Sequence, residues 1–91
     1  MLKRTRHRDG SAKVTFSLPA GDPAGPVSVV GDFNGWQPGL HQLTARSNGT
    51  RSVAVELAPG TYKFRYLGTG GHWFDDEHAD EIQSDGSLLM V

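Results

Sequence analysis

Ninety-one residues with no cysteine, 36% hydrophobic and 21% charged at a net charge of −1, describe one small domain with no length left for a second. A chain this short buries only about 60–65% of the surface its unfolded form exposes. An enclosed catalytic cleft is therefore hard to build, and any site is expected to be shallow. The missing cysteines exclude a disulfide scaffold and thiolate metal centres.

The chain opens on Lys3, Arg4, Arg6 and Arg8, followed by Asp9-Gly10-Ser11 where a secretion signal would carry its apolar run. The longest apolar run, Leu88-Leu89-Met90-Val91, is four residues, against the roughly 20 needed to span a bilayer. These features give the expectation of a soluble, cytoplasmic protein with no membrane partner. Residues 1–10 are expected as a basic, disordered tail and residues 11–91 as the single domain. Starting at Met1 and ending at its last strand, the chain is expected to be free-standing. No nucleic-acid partner is expected, because the body offers only Lys13, Arg46, Arg51, Lys63 and Arg65 as scattered cations.

Along the body, 12 glycines and five prolines interrupt the sequence every ten residues or so, and no amphipathic stretch reaches helical length. Lys13 to Leu18 alternates, with Val14, Phe16 and Leu18 on one face, and residues 20–26 are loop. A strand over residues 27–31 follows, and Asn34-Gly35 suits a tight turn. A short strand over 41–45 turns at Ser47-Asn48-Gly49 into residues 51–57, where Val53, Val55 and Leu57 point inward. Residues 61–67 give the clearest alternation, with Tyr62, Phe64 and Tyr66 on the core side and Lys63, Arg65 and Leu67 on the other. A strand from His72 to Asp75, an acidic stretch and a closing strand over 87–91 complete the chain. Six to seven short strands predict an all-β fold, an immunoglobulin-like antiparallel β-sandwich, with a small barrel as the alternative.

The two tryptophans fall at loop edges, Trp36 after Gly31-Asp32-Phe33-Asn34-Gly35 and Trp73 after a glycine-rich loop. The turn lets Phe33 tuck into the sandwich while the Trp36 indole projects away. A flat indole matches the C–H face of a pyranose, whose hydroxyls seek hydrogen bonds at its edge. Stacking and each hydroxyl bond contribute about 0.5–1.5 kcal/mol apiece, which predicts weak, micromolar to millimolar binding.

The ordered motifs Gly31-Asp32-Phe33-Asn34-Gly35-Trp36, Leu57-Ala58-Pro59-Gly60-Thr61-Tyr62-Lys63-Phe64 and Trp73 before Asp75-Asp76 resemble the carbohydrate-binding module of family 48. This is the early-set, isoamylase N-terminal type of domain, found in glycogen-branching and debranching enzymes and in the β subunit of AMP-activated protein kinase. The resemblance implies an immunoglobulin-like sandwich of the early-set type that binds α-1,4-linked glucans such as glycogen and starch. It implies that Trp36, Trp73 and Lys63 contact the glucan. Binding members place an asparagine just before the last strand, whereas this chain has Gly86 there; Asp85, Ser87 or Gln83 is left to supply the hydrogen bond. A further tryptophan common in the family is replaced by Arg51, and Asp76-Glu77 stands in place of Asp-Pro.

His72, Asp75, Asp76 and His78 match no zinc or calcium spacing and read as a solvated acidic hairpin, so no metal and no cofactor is expected. His7 and His41 are expected in solvent. Paired carboxylates for glycoside hydrolysis would need a cleft between them, and the chain is expected not to be an enzyme. The reading is a non-catalytic module for an α-1,4-linked glucan or maltooligosaccharide, with Trp36, Lys63, Trp73, Asp85 and Ser87 as carbohydrate-binding residues. The alternatives are a protein-interaction module of the same fold and a separately encoded accessory domain of a glycan-processing enzyme.

Overall fold

In β2 (Ala12–Pro19) the side chains of Ala12, Val14 and Phe16 are fully buried while Lys13 is exposed, because successive side chains of a strand face opposite sides. β2 pairs antiparallel with β5 (Thr50–Leu57), from Ala12 opposite Leu57 to Pro19 opposite Thr50. That register puts Val53, Val55 and Leu57 on the same inner face. β1 (Leu2–Arg6) lines the free edge of β2, and β4 (Thr44–Ala45) that of β5, in a computed structural model describing residues 2–91.

The second sheet is built on β6 (Thr61–Gly68). One edge of β6 pairs with β3 (Ser28–Gly31), and the other with β7 (His72–Phe74) and β9 (Gly86–Met90) in line; β8 (Glu81–Gln83) flanks β9. Phe64 and Tyr66 of β6 are fully buried against the first sheet, as their alternation predicts. The Phe16 ring lies 5.6 Å from Phe33, 5.2 Å from Phe64 and 6.5 Å from Tyr66, centroid to centroid. Fully burying a side chain of this size is worth about 1.5–3 kcal/mol, so this aromatic group holds the two layers together. The architecture is an immunoglobulin-like antiparallel β-sandwich of four and five strands. Among the described residues the helical segments are two single 3-10 turns, Asp32–Asn34 and Thr69–Gly71.

The first difference from expectation is at the amino terminus, where residues 2–6 are a strand and not a tail, pairing from Leu2 opposite Phe16 to Arg6 opposite Ala12. Met1 lies outside the described residues. Arg4 reaches across the sandwich to form an ion pair with Asp80 and to donate Nε to the Met90 carbonyl at 3.1 Å. Asp80 in turn accepts the Met90 amide at 2.7 Å. The basic head and the acidic stretch therefore close on each other. His7 is exposed as expected and meets Glu56 at 2.9 Å on the surface.

Residues 41–45 are the second difference, because they do not form one strand. The His41 carbonyl accepts the Val29 amide of β3 and the Leu43 amide donates to Val27 O just before β3, each at 2.9 Å, while Thr44 and Ala45 pair with β5 in the first sheet. The chain crosses between sheets there, with Leu43 buried in the core. β8 was not expected either; Glu81, Ile82 and Gln83 are all exposed, so burial leaves no alternation to read.

Arg51, which the resemblance sets in place of a tryptophan, is buried and clamps the 20–26 loop. Its Nη1 donates to Gly25 O at 2.7 Å and Nη2 to Pro23 O at 2.6 Å.

Candidate functional site

The turn after β3 is built to hold Trp36. Gly31 has no room for a side chain, since a Cβ there would lie 2.6 Å from the Lys63 carbonyl oxygen. Asn34 is buried beneath the turn. Its Oδ1 accepts the Gly31 amide at 3.0 Å and its Nδ2 donates to Val29 O at 3.0 Å. With Oδ1 and Nδ2 so assigned, the 3.0 Å contact to His41 makes Nδ1 of that ring the acceptor. His41 is thus a structural partner and not the solvated residue expected.

Gly35 and Trp36 then follow with φ of 65° and 58°. The left-handed conformation costs a bulky residue about 1–2 kcal/mol, and the turn holds it with a 3.0 Å bond from the Trp36 amide to Gly31 O. The half-buried indole donates Nε1–H to Asp32 Oδ1 at 2.9 Å, and Asp32 Oδ2 accepts the Lys63 amide at 2.8 Å. Phe33 turns inward against Phe16, as expected, and Trp36 stays out of the core cluster.

The outer side of the second sheet follows from register. Leu67 of β6 lies opposite Trp73 of β7, and Lys63 opposite Leu88 of β9. Lys63 and Leu67 are four residues apart on one strand, about 13 Å. Trp73 is 43% exposed, which leaves much of its indole open to a ligand. Lys63 Nζ donates to Asp85 Oδ2 at 2.8 Å. That hydrogen bond holds the Asp85 carboxyl below the ordinary carboxylate value, against the opposing effect of desolvation. Arg65 donates Nη2 to Ser84 O at 2.8 Å, tying the β8–β9 turn to β6, and Nε to Asp75 Oδ1 at 3.4 Å just after β7. The face combines an open indole, an ammonium with three donors, a carboxylate and the half-buried Leu67, which suits a flat ring edged with hydroxyls.

Four of the five expected residues belong to this neighbourhood. Trp73 and Lys63 lie on the outer side of the sheet, Asp85 is bonded to Lys63, and Trp36 is tethered to β6 through Asp32. Ser87 does not join them. It sits opposite Phe64 on the inner side and is fully buried. Its hydroxyl donates to Asp75 Oδ1 at 2.9 Å and accepts the Asp76 amide at 3.2 Å, so it cannot meet a ligand on the outer face. Gly86 leaves no easy place for the family asparagine, because a Cβ there would lie 2.9 Å from Lys63 Cγ.

Asp32 was missed by sequence reasoning; the available signal was its position four residues before Trp36 in the turn. Asp76 corrects the expectation of a solvated acidic hairpin. It is buried, accepts the Tyr66 hydroxyl at 2.6 Å and accepts the His78 amide at 2.8 Å. Burial first, and then the bond to Asp76, push the Tyr66 phenol far above its ordinary value. Among the described residues no group of three or more acids and histidines is arranged to hold a metal ion.

Comparison with known proteins identifies the family. Residues 4–81 match the model of carbohydrate-binding module 48, the isoamylase N-terminal domain. The chain is 40% identical over 67 residues to the 1,4-alpha-glucan branching enzyme GlgB of Bordetella pertussis, covering 70% of this chain and 9% of the relative. It is 39% identical over 75 residues to GlgB of Leifsonia xyli, covering 77% and 10%. Against GlgB of Rhodopseudomonas palustris it is 47% identical over 47 residues, covering 50% and 7%. The chain thus spans about a tenth or less of the length of these relatives. With most of its length matched by the family model and its strands forming the expected sandwich, the chain belongs to the carbohydrate-binding module 48 (isoamylase N-terminal domain) family.

Proposed function

We propose that this chain is a non-catalytic module that binds an α-1,4-linked glucan or maltooligosaccharide in the cytoplasm, through Trp36, Lys63 and Trp73 with Asp85 beside them. The observation that carries the reading is the open Trp73 indole on the same side of the sheet as Lys63. The Trp36 turn supports it, since a left-handed backbone is maintained there for a side chain that adds nothing to the core cluster. Family membership and the name of the relatives, 1,4-alpha-glucan branching enzyme, support a glucan as the ligand. The test is tryptophan fluorescence with maltoheptaose, together with retardation on a glycogen-containing native gel. Trp36→Ala and Trp73→Ala should each abolish retention, and a wild type that shows neither retention nor a fluorescence change overturns the reading.

A second reading is favoured by one observation, the small share of each relative that the chain covers. In it the domain works as an accessory unit of a longer glycan-processing enzyme, and its surface docks that enzyme. Capture of a branching or debranching enzyme without glucan would favour this docking role.

A further inference from the structure

The strand that carries Trp73 also borders a cavity. Phe74, the next residue of β7, lies opposite Tyr66 and packs on its ring at 5.3 Å, so it faces the side opposite to Trp73. A space of about 490 Å³ opens there between the end of β2, the start of β5 and residues 75–78. Leu18, Pro19 and Phe74 form apolar walls, Thr50 supplies a hydroxyl, and Glu77 and His78 stand among the polar residues.

The polar groups of this cavity differ in how far they are committed. Asp75 is engaged by Arg65 and Ser87, and Asp76 by Tyr66 and the His78 amide. Glu77 is exposed, and its carboxylate makes no ion pair or hydrogen bond among the described residues. An anion would meet these carboxylates with only His78 to offset them. An organic cation would find one free carboxylate on mostly apolar walls, the other two being already bonded. A neutral ring fits better: its C–H face meets Leu18, Pro19 and Phe74, and two neighbouring hydroxyls donate to the two oxygens of Glu77. The volume suits a small ligand, lying in the lower part of the usual range of about 300–1,000 Å³ for binding pockets.

We infer that this cavity is a second saccharide site, taking a single hexopyranose such as a glucan chain end, held by Glu77 against the Phe74 wall. The inference rests on the glucan reading above and extends it, because two sites sharing β7 would let one branched polymer engage both at a raised effective concentration.

The probe is methyl α-D-glucopyranoside, followed by amide NMR of the whole chain. The expected result is shifts confined to Gly49, Thr50, Glu77 and His78, with the two indole N–H signals unmoved. Glu77→Gln, at an exposed side chain without partners among the described residues, should weaken that response about tenfold, the effect of losing a charge-assisted bond. Silent cavity amides, a full response in Glu77→Gln, or shifts given by cyclohexylamine but not by the glucoside would each overturn the inference. Maltoheptaose moving the indoles while the cavity stays silent removes this site and leaves the outer face standing. A cavity response with unmoved indoles removes the outer face instead.

Discussion

Asp32 accepts the Trp36 indole N–H at 2.9 Å on one carboxylate oxygen and the Lys63 amide at 2.8 Å on the other. One exposed acid thus fixes the orientation of an aromatic platform to the backbone of the strand that carries the neighbouring lysine. Asp32→Ala removes both bonds. Because the site is open to water, the expected loss of stability is about 1 kcal/mol, read from denaturant midpoints. The larger effect should be on glucan affinity, with a longer-wavelength Trp36 emission as the indole loses its partner. An unchanged emission and affinity would show that the carboxylate does not orient the ring.

Trp36 occupies a left-handed conformation with φ of 58°, which glycine adopts without strain. Trp36→Gly relieves about 1–2 kcal/mol of backbone cost while losing the indole's packing and its bond to Asp32. The two effects oppose each other, so thermal unfolding should stay close to wild type while retention on glycogen disappears. A large fall in melting temperature would mean that the indole is part of the structural support of the turn.

The Lys63–Asp85 pair has a defined pH signature. Asp85 is held below its ordinary value of 3.8, chiefly by the hydrogen bond from Lys63. A lowered folded-state value means that the contribution to stability is present above the ordinary value and is lost as pH falls through the lower one. Lys63→Met should return the Asp85 titration toward 3.8, followed by the chemical shift of its carboxyl carbon. The stability difference between wild type and variant should shrink in acid; a difference that persists at low pH would have another source.

Tyr66 and Asp76 form the buried counterpart of that pair, 2.6 Å apart. Tyr66→Phe leaves Asp76 short of a donor and should cost about 1.5–3 kcal/mol. The raised phenol value also predicts behaviour in alkali. Tyr66 stabilises the fold below the unfolded-state value of 10.0, and that contribution fades as pH rises toward the folded value. Its phenolate absorbance should therefore appear together with alkaline unfolding, monitored by circular dichroism on the same sample. A Tyr66 titration at the ordinary value in folded protein would contradict the buried bond.

Arg51 holds the 20–26 loop through the carbonyls of Pro23 and Gly25 from a buried position. Arg51→Met keeps most of the apolar stem and removes both bonds, with an expected loss of about 2–3 kcal/mol. Faster proteolysis within residues 20–26 should accompany it. Equal cleavage rates in variant and wild type would show that the loop does not depend on the clamp.

Much of this protein is determined locally. Alternation identifies β2, β5 and β6 because one face of each is packed and the other is not, and the two-faced character of Tyr62 to Leu67 places Lys63 on the outer side by itself. The Gly31–Trp36 turn is equally local, since Asn34, Gly35 and their neighbours make its bonds within a few residues. Other features depend on partners distant in sequence. Ser87 reads as one more hydroxyl near the site until the register with Phe64 turns it inward. Asp76 reads as solvated charge until Tyr66, ten residues away, is found to bond it inside the sandwich. The balanced net charge of −1 hides a basic head and an acidic stretch, whose pairing through Arg4 and Asp80 exists only once β1 joins the first sheet and the loop before β8 comes alongside it. Periodicity records which side of a strand is buried; it carries no record of which strand lies opposite, and that choice decided the rest.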